Sequence, residues 1–317
     1  MSKKKKIILF SIIGALGTII TVVGIWLIII FTTNKSPIKY ENEVLTENSE
    51  LITIPTNTET IDENTKETEM KKASPKDYSA KEVIGMTLWK ISEEKVFEVT
   101  TTGTSNAMGL NVNISNSRKI INDEMMITCI SAGGGLFSSL VSNGSQRYFK
   151  GNNVYLRKAI KVNDDATAEF SDDSEMEAIN KDTYLTRYGW WPTQAFGYVI
   201  KDNTYLEAPL MVDNNDNTYT ITIKLDPKSD AAFYYQREIA TNANATETPI
   251  FEYINITMTI YEDFRIKEVK FKESYKVKPG VFPIESQTET NLIDTYNYDN
   301  VSFNEEYYNY FKNHISN

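Results

Sequence analysis

Met108-Gly109-Leu110-Asn111-Val112-Asn113-Ile114 alternates apolar and small or polar residues over seven positions. A strand points successive side chains to opposite faces, so this period of two describes a strand with one buried face and one wet face. Met108, Leu110, Val112 and Ile114 are expected to face a core, with Asn111 and Asn113 turned away. Phe97-Glu98-Val99 alternates in the same way just upstream. Downstream, Asn122-Asp123 reads as a turn between Arg118–Ile121 and the strand-like run Glu124–Ile130. Gly151-Asn152-Asn153 separates Gln146–Lys150 from Val154–Ile160 and marks a hairpin.

The second half keeps the same habit. Tyr219, Ile221, Ile223 and Leu225 alternate, Pro249 introduces a long strand from Ile250 to Tyr261, and Glu262-Asp263 turns the chain into Ile266–Val277. A further strand is expected over Glu285–Tyr298. Helices are few. Pro75, Asp77 and the capping box Ser79-x-x-Glu82 mark a helix start, after which Ile84, Leu88 and Ile91 recur at helical spacing. Residues 163–177 hold seven acids and no base, and read as a solvated loop entering a helix at a second capping box, Ser174-x-x-Glu177. Pro227 opens a helical stretch through Ala231-Ala232-Phe233 to Ile239, and Phe303, Tyr307, Tyr310, Phe311 and His314 suggest a terminal helix. No period of 20–50 residues repeats, which argues against solenoids and propellers.

Ahead of these elements lie 25 consecutive uncharged residues, Ile7 to Phe31, directly behind Lys3, Lys4, Lys5 and Lys6. As a helix that run reaches roughly 37 Å, enough to cross a hydrocarbon core of about 30 Å. Lysines on its N-terminal flank hold that end in the cytoplasm. A cleaved signal peptide is the rival reading. The run is long for one, however, and no A-x-A cleavage pattern precedes Phe31-Thr32-Thr33-Asn34-Lys35. Residues 32–74 hold nine Thr, nine Asp or Glu and one aromatic, Tyr40. Such a stretch buries too little apolar surface to offset ordering, and is expected to be a disordered spacer. The expected organisation is therefore a cytoplasmic basic stub (1–6), a single transmembrane helix (7–31), an acidic, Thr-rich stalk (32–74) and an extracytoplasmic α+β domain (75–317).

The formal net charge is −10. Setting aside the four N-terminal lysines, the remainder carries about −14, which argues against a nucleic-acid partner. With Cys129 as the only cysteine, neither an intramolecular disulfide nor a lipidated cysteine near the membrane segment is available, and the fold must be held by its core. Cys129 itself reads as a small buried hydrophobe in the run Met125–Ile130.

Catalytic constellations fail on parts. His314 is the only histidine and sits in the last four residues, where fraying is the default, so Ser-His-Asp, Cys-His and histidine-metal arrangements have no base or ligand to build on. Gly133-Gly134-Gly135 lacks the Gly-Lys-Ser/Thr of a phosphate loop. Asp213-Asn214-Asn215-Asp216-Asn217 supplies alternate oxygen ligands, but Thr218 stands where a calcium loop needs glycine and Lys224 where it needs a bidentate glutamate. A hairpin turn is the better reading. No enzyme, cofactor or metal site is expected.

One compositional peak has functional potential. Tyr184, Tyr188, Trp190, Trp191, Phe196 and Tyr198 cluster at a helix-to-strand passage marked by Gly189 and Pro192. Aromatics at such density usually seal a core. The alternative is that Tyr188, Trp190, Trp191, Phe196 and Tyr198 line the mouth of an apolar ligand site.

A long run of antiparallel strands with few helices must bury one face of its sheet. The economical fold is α+β, a large curved, half-barrel-like antiparallel sheet packed on those helices. This element order resembles that of the LolA-like and LppX-like bacterial lipid carriers, in which an unclosed antiparallel sheet encloses helices and an apolar cavity. The resemblance covers residues 75–300 in element order and implies a lipid or other apolar small molecule as ligand. The chain departs from those families in having a permanent anchor where they have a lipidated cysteine or a soluble carrier. The expected function is a membrane-anchored extracytoplasmic ligand-binding module, non-catalytic. The alternative is a ligandless sensing or protein-interaction domain of the bacterial cell envelope.

Overall fold

Ser79 starts the first helix as its sequence requires. Its side chain accepts from the Glu82 amide at 3.4 Å, while the Glu82 carboxylate accepts from the Ser79 amide at 2.8 Å. The computed structural model describes residues 36–40, 74–107, 110–134, 142–280 and 285–315. The stub 1–6, the apolar run 7–31 and most of the 32–74 stretch lie outside these residues. Among the described residues no helix is long and apolar enough to cross a membrane.

Helix α1 (Ala80–Glu93) buries Val83, Ile84, Met86, Thr87 and Ile91, with Leu88 packed at the margin of the core. The strands follow as β1 (Val96–Ala107), β2 (Leu110–Ile121), β3 (Glu124–Gly133), β4 (Asn143–Lys150), β5 (Asn153–Lys158), β6 (Lys161–Val162), β7 (Ala168–Glu169) and β8 (Glu177–Asn180). Helix α2 (Lys181–Tyr188) leads through an irregular passage to β9 (Leu210–Asp213) and β10 (Thr218–Leu225). Helix α3 (Tyr235–Asn242) precedes the three long strands β11 (Ile250–Tyr261), β12 (Ile266–Val277) and β13 (Ser286–Asn297), and α4 (Glu305–Ile315) closes the described chain.

Eleven strands form one curved antiparallel sheet in the order β8-β5-β4-β3-β2-β1-β13-β12-β11-β10-β9. Each half is a meander, with the β6–β7 ribbon intervening between β5 and β8 in one of them, and the halves join where β1 pairs with β13. Strands β6 and β7 make a separate ribbon. The inner face carries the main core, including Phe97, Val99, Ile120, Phe149, Ile221, Ile223, Ile256 and Met258, against α1, α3 and the passage after α2. Helix α4 covers part of the outer face, where Tyr310 and Phe311 pack with Met126 and Tyr148.

Three local expectations give way to the fold. Ser174-x-x-Glu177 does not cap a helix. Glu177–Asn180 is the edge strand β8, paired with β5, and the helix begins at Lys181 with the Asn180 side chain accepting from the Thr183 amide at 2.8 Å. The open backbone edge of β5 outcompetes the local cap. Leu110–Ile114 and Arg118–Ile121 are not separate strands either, and Met108 and Gly109 of the first run lie outside the described residues. Residues 110–121 run as one strand, because β1 offers an unbroken partner from Val96 to Ala107. Finally, residues 36–40 do not behave as spacer. The Ile38 amide donates to the Ala245 carbonyl at 2.8 Å, Ile38 and Tyr40 pack on the core, and the Arg237 guanidinium lies 4.7 Å from the centre of the Tyr40 ring. Two apolar side chains and a cation–π contact offset the ordering of this short piece.

Candidate ligand site on the inner face

Strand register places the inner-face residues in rows across the sheet. Tyr296, Val99, Arg118, Ile127, Arg147 and Leu156 stand side by side and are all buried. Three rows nearer the β1–β2 connection, Thr290, Ser105, Val112 and Gly133 are buried again. Between these lie two rows that the chain covers only in part. The first runs Asp294, Thr101, Asn116, Cys129, Ser145; the second runs Leu292, Gly103, Ile114, Ser131. All are half-buried except Asp294, which is buried. A partly covered strip bounded by covered rows on both sides is a depression in the inner face. Its first row is hydrogen-bonding and its second mostly apolar or small.

Gly103 sits in the middle of the second row. A Cβ there would run into the Asn291 carbonyl oxygen on β13, so the two backbones approach as only glycine allows, and the floor has no side chain at its centre.

The passage after α2 forms one wall. Gly189 ends α2 in the left-handed region (φ 82°), where a Cβ would meet the Tyr234 carbonyl oxygen, and this close approach packs α2 against the start of α3. From there the chain crosses the inner face, pinned by Arg118, whose guanidinium donates to the carbonyls of Pro192 at 2.9 Å, Gln194, and Ala195 at 3.0 Å. That one side chain satisfies three carbonyls of an irregular segment.

The pinned passage divides the five predicted aromatics. Trp191 is buried, edge-on to Phe149 at 5.3 Å and to Tyr184 at 5.6 Å. Tyr188 is buried under the Arg147 guanidinium, 3.9 Å from its ring centre, and Tyr198 is buried against Tyr235 and Phe271. Trp190 and Phe196 remain half-buried. The Trp190 ring lies 5.2 Å from the Arg118 guanidinium and its indole N–H donates to Glu238 at 2.7 Å. Phe196 stands edge-on to Phe271, 5.6 Å away, and Phe271 is the strand neighbour of Leu292. These two flank the depression; the other three brace the core behind them.

Burial dominates the electrostatics. It raises the Asp294 carboxyl to about 6, against a Thr101 hydrogen bond and the nearby charge of Arg118, which pull the other way. It raises Glu273 to about 7, against hydrogen bonds from Tyr198 and Tyr235. Burial also pushes the Cys129 thiol up, away from the thiolate that nucleophilic chemistry needs. His314 lies in α4 with its Nδ1 2.8 Å from the Tyr310 carbonyl, on the outer face. Among the described residues no group of three or more His, Cys, Asp or Glu side chains is arranged to hold a metal. Residues 214–217 form the β9–β10 hairpin, with Asn215 and Asn217 at positive φ.

Sequence reading found Ile114 through its alternation and Trp190 and Phe196 through aromatic density. It missed Gly103, Asn116, Cys129, Leu292 and Asp294 as floor residues, because what groups them is register between strands far apart in the chain. No protein-family model matches this chain, and no curated protein is similar to it at a significant level.

Proposed function

We propose that this chain is a membrane-anchored extracytoplasmic module that binds an apolar or lipid-like ligand on the inner face of its sheet, without catalysis. The observation that carries the reading is the half-covered strip between buried rows. Ile114, Leu292, Phe196 and Trp190 offer apolar contact to a chain or ring. Thr101, Asn116, Ser131 and Ser145 offer hydrogen bonds to a polar end. Such a lining suits an amphiphile better than a pure hydrocarbon. The curved antiparallel sheet packed on helices also supports the resemblance to LolA-like and LppX-like half-barrels.

The test is native mass spectrometry of the chain from Ser36 onward, purified from cells, together with titration by a fluorescent fatty acid. Copurifying lipid or saturable binding supports the reading. A flat titration with several lipid classes removes it.

A ligandless interaction module is the second reading. Its support is β9, the end strand of the sheet, where Leu210 is 65 % and Val212 60 % exposed. An exposed apolar edge strand invites an added strand from a partner.

A further inference from the structure

We propose that residues 36–40 are a releasable strap, seated in a groove of the domain that accepts a short extended peptide with an aliphatic residue and a tyrosine two positions apart. The inference goes beyond the function proposed above and is independent of the ligand.

The groove is built without the strap. Just past α3, Ala245 bridges to Pro279 beyond the end of β12. The Thr246 amide donates to the Lys278 carbonyl at 3.0 Å and the Gly280 amide to the Asn244 carbonyl at 3.0 Å, while the Ala245 amide donates to the Ala240 carbonyl at 2.8 Å. These bonds fix residues 244–246 as a short strand against residues 278–280. Successive backbone groups of a strand point to opposite edges, so the Ala245 carbonyl faces away from that partner. The Ile38 amide donates to it at 2.8 Å. This is strand addition, in which main-chain bonds supply affinity and alternate side chains supply specificity.

Alternation supplies the side chains. Ile38 and Tyr40 are half-buried and pack on the main core, whereas Ser36, Pro37 and Lys39 are exposed. The Tyr40 ring lies 4.7 Å and the Phe233 ring 5.3 Å from the same Arg237 guanidinium. Arg237 is a buried residue of α3, so the tyrosine seat belongs to the domain. The Ile38 hydrogen bond, two half-buried side chains and one cation–π contact stand against the ordering of five residues, a cost of the same order. Such a segment opens locally while the domain stays folded. Its release changes reach. Ile38 stands seven positions after Phe31, the last residue of the uncharged run, and Ser74 stands 43 positions after it. On the anchor proposed above, the docked link spans at most about 25 Å and the released one at most about 150 Å.

The experiment uses the full-length chain in detergent micelles. Amide exchange in the wild type is followed at Ile38 and at Ile256 of β11. Ile38 is expected to exchange more slowly than in a free peptide of residues 34–42, yet at least about 100-fold faster than Ile256. That peptide, carrying a fluorophore, is then added to the wild type and to a chain with Ile38→Asp and Tyr40→Asp, which empties the groove. Saturable binding to the variant is expected, at least about tenfold tighter than to the wild type, whose own strap competes. Exchange at Ile38 as slow as at Ile256 or as fast as in the free peptide, no binding to the folded variant, or equal binding to both chains overturns the proposal. Deletion of residues 36–40 empties the groove by a second route. Loss of the fold in both variants would make these residues part of the core and overturn the proposal as well. Neither measurement involves lipid, so both decide the strap whatever a fatty-acid titration or flotation with vesicles returns.

Discussion

Tyr198, on the passage pinned by Arg118, donates its hydroxyl to Oε2 of Glu273 on β12, and Tyr235 of α3 approaches Oε1 of the same carboxyl at 3.3 Å. The three residues tie the passage, helix and sheet together inside the core. Burial outweighs the two hydroxyl donors and raises the Glu273 carboxyl from 4.5 to about 7.

That shift makes stability depend on pH. A carboxyl raised in the folded state holds its proton there when the unfolded chain has released it. The folded state therefore binds more protons between the two values, and stability falls as pH rises from about 4.5 through 7. Asp294, raised from 3.8 to about 6, acts in the same direction over a lower window. Denaturant unfolding at pH 5 and pH 8 is expected to show the wild type less stable at pH 8. Glu273→Gln should remove up to about 3 kcal/mol of that difference, whatever its offset at pH 5. An unchanged pH profile in the variant would show that Glu273 does not titrate in this window.

Trp190 and Trp191 are adjacent in sequence and are expected to fail differently. Trp191→Ala leaves a cavity against Phe149 and Tyr184 and should lower stability by about 3–5 kcal/mol. Trp190 is half-buried at the depression, so Trp190→Ala should lower stability less and weaken binding of a fluorescent fatty acid more. Calorimetry and titration on both variants give the comparison. The reverse order, or no saturable binding in the wild type, would count against Trp190 as a ligand contact.

On β2, Val112 is 7 % exposed on the inner face and Asn113 is exposed on the outer face. Val112→Asp buries an unpaired charge while Asn113→Asp leaves one in water. The two should differ by at least about 2 kcal/mol in unfolding free energy.

Gly103→Ala sets a methyl against the Asn291 carbonyl oxygen and should force β1 away from β13. Thr102→Ala, one residue earlier on the exposed face, is the control. A loss of about 2 kcal/mol or more is expected for the first and within about 0.5 kcal/mol for the second. Because β1–β13 is, among the described residues, the only pairing that joins the two meanders, amide exchange should also speed up along both strands in Gly103→Ala.

Periods of two and 3.6 are local properties, and the sequence by itself determined what depends on them. The first capping box, the alternating strands, the hairpin at Gly151-Asn152, the ends of β11 and β12 and the antiparallel class of the sheet were all legible, because each is set by residues within a few positions of one another. The apolar run behind four lysines is equally local. Tertiary structure alone decided that β1 lies beside β13, since 190 or so residues separate the partners and nothing in either strand names the other. It also decided which aromatics brace the core and which stay at the depression, because that depends on where Arg118 pins the passage. Glu177 shows the two levels in conflict. Its spacing from Ser174 suits a cap, but an unpaired strand edge supplied by β5 offers its backbone more hydrogen bonds than a cap would.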